Sequence, residues 1–271
     1  MDHDAFRRFE QATHDRVARG YHEFFEQVTS RMIDALLAAA AVGAGARVLD
    51  VACGPGTAAA GAAARGAAVV GVDLSPAMVA LARTLHPALE FREADAAALP
   101  FPTGAFDAVV CNFGVGHFPR AEPAVADFAR VTAPGGRVAV TWWDTPDRAR
   151  VNGVFFEALS AVGAPPPAGV PEGPPPFRYA SDVALAELLG SAGLVDVTVS
   201  AVAGTHRLAS VDAWWRGGLG SLARASAAIL GQPPDVQRRI RAAFDRLAER
   251  YAGAGGLDVP FAAKVAAARK P

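Results

Sequence analysis

The sequence predicts an α/β fold built around a doubly wound, largely parallel sheet. Two observations lead to this prediction. First, an apolar strand, Arg47–Val51, runs into a glycine turn at residues 54–56 and an alanine-rich helix, and a second apolar strand, Ala68–Asp73, follows. Second, strands and helices keep alternating as far as residue 143, which is the cadence of stacked βαβ units.

Each element of this core has a local reason. Gly66 ends the first core helix, and Ser75-Pro76 opens the second with a capping residue and a proline at the first helical position. The turn Pro134-Gly135-Gly136 precedes the fifth strand. Besides the two strands above, we predict helix 57–65, a helix from Pro76, strand Glu90–Glu93, strand 106–112, helix 123–131 and strand 137–142.

The flanking segments are mostly helical. Apolar residues recur every three or four positions over 1–45, which predicts one or two amphipathic helices. Segment 163–176 holds seven prolines and is predicted to be irregular, either as a surface connector or as a rim of the substrate cleft. The remaining predictions are helix 151–162, helix 182–192, strand 195–201, two helices over 211–251 broken at 231–234, and strand 261–268.

Composition narrows the class of function. The chain has 271 residues, 52% of them apolar, and a net charge of −1 without a basic block, which disfavours a nucleic-acid partner and favours a small molecule. Cys53 and Cys111 fall in predicted core positions and are interpreted as inert thiols. The charged N-terminus lacks a signal-peptide pattern and no segment could span a bilayer, so we expect a cytoplasmic protein without a membrane partner. Monomer and homodimer both remain open.

The glycine turn and the strand ends beside it predict a nucleoside site. Gly54 and Gly56 allow the backbone to approach a ligand, and Asp73, at the end of the second strand, can accept from ribose hydroxyls. Asp50 lies just before the turn, where it would repel a pyrophosphate but could pair with an ammonium group. Pro55 also removes an N–H that would cradle phosphate. The pattern GxGxxA over 54–59 leaves a dinucleotide cofactor as the alternative.

The segments RVLDVACGPGT and VVGVDLSP resemble the class I S-adenosylmethionine (SAM)-dependent methyltransferases, in particular the small-molecule branch called type 11 or ubiquinone-biosynthesis-like. The resemblance covers about residues 47–143. It implies a Rossmann-like seven-stranded sheet with an antiparallel last strand, N-terminal helices and a helical insertion between the last two strands. It also implies SAM as cofactor and S-adenosylhomocysteine (SAH) as product. No metal is expected, because the aspartate pairs and lone histidines lack metal-ligand spacing.

The chain shows no repeats and only insertions around this core, so we expect one methyltransferase domain over 1–271. Its expected parts are a helical cap (1–45), a cofactor-binding core (46–143), an insertion with a rim loop (144–180) and a C-terminal part with helices that cover the substrate (181–271). The expected cofactor-binding residues follow the strand ends; for Met78 a core role and for Asp95 a helix-cap role remain alternatives. These residues are Asp50, Ala52, Gly54, Gly56, Asp73, Leu74, Met78, Asp95, Ala96, Asn112 and Phe113.

The acceptor side is marked by His117, which follows the fourth strand and is the candidate general base. Many relatives carry a His-His pair here, whereas this chain has Gly116-His117, and a His that only holds its loop is the alternative.

Aromatic residues predicted to line the pocket are Tyr21, Phe118, Trp142, Tyr179 and Trp215. The expected activity is methyl transfer to an O, N or C nucleophile of a small, fairly apolar metabolite. Alternatives are a SAM-binding enzyme of other chemistry, such as a cyclase or decarboxylase, and a non-catalytic regulatory subunit.

Overall fold

A computed structural model describes all 271 residues, which form two compact units. We call them the sheet unit (Thr29–Asp144, Pro174–Val202 and Ala263–Pro271) and the helical unit (Met1–Val28, Thr145–Gly173 and Ala203–Ala262). No helix is both long and apolar enough to cross a bilayer.

The helices and strands are numbered along the chain. The α-helices are α1 (His3–Gly20), α2 (Glu26–Thr29), α3 (Ile33–Ala39), α4 (Thr57–Ala64), α5 (Pro76–Leu85), α6 (Ala121–Val131), α7 (Arg150–Val162), α8 (Asp182–Gly190), α9 (Val211–Ser221), α10 (Ala223–Leu230) and α11 (Pro234–Ala248). The strands are β1 (Arg47–Val51), β2 (Ala68–Asp73), β3 (Glu90–Glu93), β4 (Phe106–Cys111), β5 (Thr132–Trp143), β6 (Val195–Leu208), β7 (Ala252–Gly253) and β8 (Gly256–Arg269).

The strand order is β3-β2-β1-β4-β5-β8-β6, with the two-residue β7 paired to β8. Strands β1 to β5 pair in parallel, and β8 runs antiparallel to β5. The predicted fold class is therefore confirmed, including the antiparallel last strand. Because the chain leaves β1 toward β2 on one side and returns to β4 on the other, the strand order reverses between β1 and β4. That is the place where open α/β sheets bind ligands.

The sheet is held by apolar packing on its helices. One buried cluster joins α3 and α4 to β1, β4, β5 and β8, with Leu36, Leu37, Val48 and Val110 fully buried. A second cluster joins α4 and α5 to Phe91 of β3. The caps predicted from sequence are present, since Ser75 Oγ accepts from the N–H of Met78 and Ser181 Oγ accepts from that of Ala184. Both cysteines are buried, and burial raises the pKa of each thiol.

The helical unit has its own aromatic core. Trp214 is fully buried against Phe155 and Phe244, and its Nε1–H donates to the carbonyl of Val151 at 2.9 Å. Its α1 is followed by a five-residue π-helix, Tyr21–Phe25. Short π-helical segments are rare and are frequent at functional sites.

Several predicted boundaries were wrong. Strands β6 and β8 have 14 residues each, about twice the predicted lengths of seven and eight. The predicted first helix of 211–251 is two helices, because the backbone of Leu222 is extended (φ −89°, ψ 90°) between α9 and α10. Strand β5 begins at Thr132, so the turn at Gly135 lies within a bulged strand rather than before it.

Candidate functional site

The carboxyl ends of β2, β1 and β4 are adjacent, because these strands are parallel neighbours. The predicted cofactor residues follow these ends, and Asp95 follows β3 one strand further out. Asp50 is paired with Gly71 on one side and Val110 on the other, inside the sheet. The fold therefore brings the predicted cofactor residues to one edge of the sheet.

Asp50 is fully buried, and no group of the protein donates a hydrogen bond to either of its carboxylate oxygens. Burial raises its pKa to about 7, and the negative charge of Asp73 adds to this rise. The backbone N–H of Ala59, in the first turn of α4, lies close enough to lower the pKa in part. A buried carboxylate without a hydrogen-bond donor is costly unless a cationic partner joins it.

The turn after β1 is strained and open on one side. Ala52 and Gly54 both have positive φ, at 57° and 53°, and a Cβ on Gly54 would meet no atom within 4 Å. Gly56 also has positive φ (89°), but its Cβ would lie 2.7 Å from the ring of Phe91. Gly54 thus leaves room for a ligand, whereas Gly56 is required by the packing of the protein itself. Positive φ at a non-glycine residue such as Ala52 stores strain and is typical of ligand sites.

Asp73 organises this turn. Its Oδ2 accepts from the N–H of Gly54 at 2.8 Å, and its Oδ1 accepts from the N–H of Ser75 at 2.9 Å. Each carboxylate oxygen has a second lone pair and can still accept from a ribose hydroxyl. Besides the ligand role predicted from the sequence, Asp73 is therefore the acceptor that joins two loops.

Two predicted cofactor residues after Asp73, Leu74 and Met78, differ in how far they are buried. Leu74 is half-buried, next to the strand end. Met78 is 3% exposed in the first turn of α5, so most of its surface packs within the protein.

Asp95 forms a turn with its own backbone. Its Oδ1 accepts from the N–H of Ala97 at 2.9 Å, and Ala96 is buried. The next turn is held by α6, because Asp127 accepts from the N–H of Leu99 at 2.6 Å and Arg130 donates to the carbonyls of Leu99 and Phe101. Sequence reasoning did not identify this Asp127–Arg130 pair, although its i,i+3 spacing on a predicted helix was visible.

At the end of β4, Thr141 of β5 fixes two predicted cofactor residues. Its hydroxyl donates to Oδ1 of Asn112 at 2.7 Å and accepts from the N–H of Phe113 at 2.9 Å. The amide nitrogen of Asn112 donates to the carbonyl of Thr29, so both ends of this side chain are engaged within the protein. Phe113 has positive φ (56°), and its ring lies 4.2 Å from that of Trp143.

The loop that carries His117 rests on Trp142. The imidazole meets the indole edge-on, with ring centroids 5.4 Å apart. A Cβ on Gly116 would lie 1.9 Å from Cζ2 of Trp142, and the indole is fixed because its Nε1–H donates to the carbonyl of Pro176 at 3.1 Å. With the indole in this place, only glycine fits at 116 without a shift of the ring.

The same loop is contacted by Arg178, which sequence reasoning missed. Its guanidinium donates to the carbonyls of Val115, Phe118 and Pro119 and lies over the ring of Tyr179 at 4.7 Å. Of the predicted pocket residues, Phe118, Trp142 and Tyr179 are thus close in the sheet unit. Burial raises the pKa of the Tyr179 hydroxyl.

Tyr21 and Trp215 belong to the helical unit. Tyr21 begins the π-helix and is partly exposed, with its ring centroid 6.5 Å from that of Phe25. Trp215 is 9% exposed and stacks on Phe155 at 5.8 Å, with Arg241 over its ring. Trp215 is therefore a core residue of that unit.

The residues at the sheet edge fit the SAM cofactor implied by the resemblance. The test is Asp50, whose buried carboxylate accepts no hydrogen bond from the protein and therefore suits the ammonium group of an amino acid. The open side of Gly54 gives such a ligand room beside it.

Comparison with known proteins agrees with this geometry. A family model described as a methyltransferase domain matches residues 49–140. The chain is 35% identical over 179 residues to a demethylmenaquinone methyltransferase of Beutenbergia cavernae, covering 66% of this chain and 71% of that protein. A demethylmenaquinone methyltransferase of Thermus thermophilus is 44% identical over 122 residues, which is 42% of this chain and 56% of that protein.

Among solved structures, a putative methyltransferase from an antibiotic biosynthesis pathway of Anabaena variabilis is similar. Its TM-score is 0.60 at 18% identity, over 87% of this chain and 96% of that one. At this identity the likeness shows the fold alone.

Proposed function

Because the chain belongs to the class I SAM-dependent methyltransferases, we propose that it transfers the methyl group of SAM to an O, N or C nucleophile of a small, fairly apolar metabolite. We further propose that His117 is the general base. The observation that carries the cofactor part is Asp50, a buried carboxylate without a hydrogen-bond donor beside an open glycine turn.

Each cofactor residue has a distinct task in this proposal. Asp50 pairs with the ammonium group, and the carboxylate of Asp73, which binds the N–H groups of Gly54 and Ser75, accepts from the ribose hydroxyls. The carboxylate of Asp95 and the buried backbone at Ala96 are proposed to contact the adenine. Asn112 acts through its backbone position, since its side chain is engaged by Thr141 and Thr29.

SAM supplies an activated methyl group, so the protein needs to supply alignment and proton removal. Alignment of two reactants contributes about 7–11 kcal/mol to such a step. A ring nitrogen of His117 takes the proton of the acceptor's O–H, N–H or C–H group. Bound SAM would supply the methyl group to the acceptor and would leave as SAH. The edge contact with Trp142 restricts how the imidazole can turn.

An apolar acceptor is supported by three uncharged side chains of the sheet unit. Phe118, Trp142 and Tyr179 lie in the same part of the sheet unit, and none carries a charge. Two relatives are named for demethylmenaquinone, and we propose an organic small molecule as acceptor for this chain as well.

Cofactor choice is tested by calorimetry with SAH, SAM and NAD. We expect SAH and SAM to bind and NAD to leave their binding unchanged, because a fixed carboxylate at Asp50 repels a pyrophosphate. Tight NAD binding together with no SAH binding would overturn the assignment.

The chemistry is tested by mass spectrometry with naphthol, aniline and indole as oxygen, nitrogen and carbon acceptors. We expect one product heavier by a methyl group together with an equal amount of SAH. Conversion of a probe without methyl gain, while SAH still binds, would instead indicate a SAM-binding enzyme of other chemistry.

The base role is tested with His117→Ala. Turnover is expected to fall about 10²–10⁴-fold, with SAM affinity within a few-fold, and the acidic limb of the pH–rate profile should disappear. His3→Ala, at the exposed start of α1, is the control and should behave as wild type. Wild-type kinetics in a folded His117→Ala variant would remove His117 from the reaction.

A further inference from the structure

Segment 174–180, which starts within the proline-rich stretch, contacts both the His117 loop and the side chain beneath it. The carbonyl of Pro176 accepts from Nε1–H of Trp142 at 3.1 Å, and that indole supports the imidazole and faces Gly116. Two residues later, Arg178 donates to the loop itself. One short turn therefore contacts both the loop and the side chain on which the loop rests.

The guanidinium of Arg178 binds backbone carbonyls on both sides of His117 in the sequence. It reaches the carbonyl of Val115 at 3.3 Å on one side, and those of Phe118 at 2.5 Å and Pro119 at 3.5 Å on the other. Hydrogen bonds from a charged donor are about twice as strong as neutral ones, and the planar fork of arginine can hold several acceptors at fixed angles.

The loop makes one backbone hydrogen bond within itself. Between Gly114 and Phe118 the backbone makes one internal hydrogen bond, from the N–H of His117 to the carbonyl of Gly114 at 2.9 Å. Gly116 adds no side chain, so its backbone is intrinsically permissive. The hydrogen bonds of Arg178 to carbonyls on both sides of His117 therefore help to fix where the imidazole lies.

We propose that Arg178 is a positioning residue that orients His117 toward the methyl acceptor, and that segment 174–180 is part of the acceptor site rather than a connector. The inference rests on the proposed role of His117. Arg178 acts through the loop carbonyls and through Tyr179, over whose ring it lies, and it touches no reacting atom.

A spectroscopic test needs no turnover. The protein has six histidines, and its ¹³C-labelled imidazole signals can be assigned by comparison with His117→Ala. Arg178→Met should shift or broaden the His117 signal. The matched control is Lys270→Met, which removes a cation bound to the carbonyls of Arg130 and Thr132 at the opposite end of β5 and should leave that signal in place.

Kinetics complete the test, with naphthol, aniline and indole as acceptor probes. Arg178→Met should lower kcat about 10²-fold, the cost of a small misplacement of a catalytic group, with the SAM dissociation constant unchanged. Arg178→Lys should restore part of the loss because an ammonium still binds carbonyls. In the His117→Ala background, Arg178→Met should cost less than about two-fold, since a residue acting through His117 has nothing left to position.

The outcomes separate the two proposals. An unchanged His117 signal in Arg178→Met, or an equal loss of kcat with and without His117, overturns the positioning role. Wild-type turnover in His117→Ala overturns the base role of His117. If the His117 signal still moves in Arg178→Met in that case, Arg178 orders the loop without serving catalysis. That result also contradicts the positioning proposal. If no probe is methylated, the signal alone decides whether Arg178 orients His117.

Discussion

Replacing Asp50 with asparagine should make the ligand-free protein more stable at neutral pH and impair cofactor binding. Asp50 is fully buried, and no donor bonds to its carboxylate. Its charge is therefore uncompensated in the absence of ligand, and asparagine has nearly the same shape without the charge. The amide group of asparagine adds a cost of its own, because buried N–H groups also need acceptors, but that cost does not change with pH.

The magnitude follows from the pKa of about 7 in the folded protein against 3.8 for an ordinary aspartate. Between these two values the folded state binds more protons than the unfolded state. The free energy of unfolding is therefore highest below pH 3.8 and falls as pH rises toward 7. At about 1.4 kcal/mol per pKa unit, the free energy of unfolding falls by about 4 kcal/mol in total. About 2 kcal/mol of this decrease has occurred by pH 5. Asp50→Asn should therefore gain about 3 kcal/mol relative to wild type between pH 5 and pH 8.

Denaturant unfolding of both ligand-free proteins at pH 5 and pH 8 measures this difference. The control is Asp107→Asn, because the hydrogen bonds of Arg47 lower the pKa of Asp107 and its contribution to stability is constant over this range. SAH should bind Asp50→Asn about 10- to 150-fold more weakly, the value of a hydrogen bond to a charged group. An Asp50→Asn effect on stability that is the same at pH 5 and pH 8 would refute the reasoning.

Three further variants test the surroundings of the site. Asp73→Ala should weaken SAH binding by about 2–3 kcal/mol, or about 30- to 150-fold, and should also lower Tm, because two backbone N–H donors lose their acceptor; an unchanged SAH dissociation constant would contradict the ribose role. Gly116→Ala should destabilise the fold by about 1–3 kcal/mol, whereas Gly190→Ala, whose Cβ would meet no atom within 4 Å, should be neutral or stabilising in the same thermal melts. Thr141→Val should cost about 1–3 kcal/mol in denaturant unfolding, since it leaves the amide oxygen and the N–H at the end of β4 without their hydroxyl partner; a wild-type midpoint would show that water replaces the hydroxyl.

The sequence was informative where structure is local. The turn after β1, the caps at Ser75 and Ser181 and the alternation of strands and helices are set by neighbours in the chain, and all of them are present. Asp50 could be identified because a charge inside an apolar strand is an anomaly that a short window reveals. The lengths of β6 and β8 could not be predicted in the same way, because pairing with distant strands decides where a strand stops.

The contacts that hold the site in place were invisible for a related reason. Arg178 lies about 60 residues from the carbonyls it binds, and Thr141 lies about 29 from Asn112. Neither belongs to a motif with fixed spacing. A π-helix at Tyr21 likewise has no recognised sequence pattern, although the residue itself had been singled out.

The indole of Trp142 also limits which residues position 116 can carry. Because the Cβ of any residue at 116 would overlap the indole, a side chain there requires the ring to move as long as residue 142 is tryptophan. A smaller residue at 142 would in turn remove the edge contact that steadies His117. The two positions are therefore coupled, since the residue at 142 sets both the space for a side chain at 116 and the edge contact of His117.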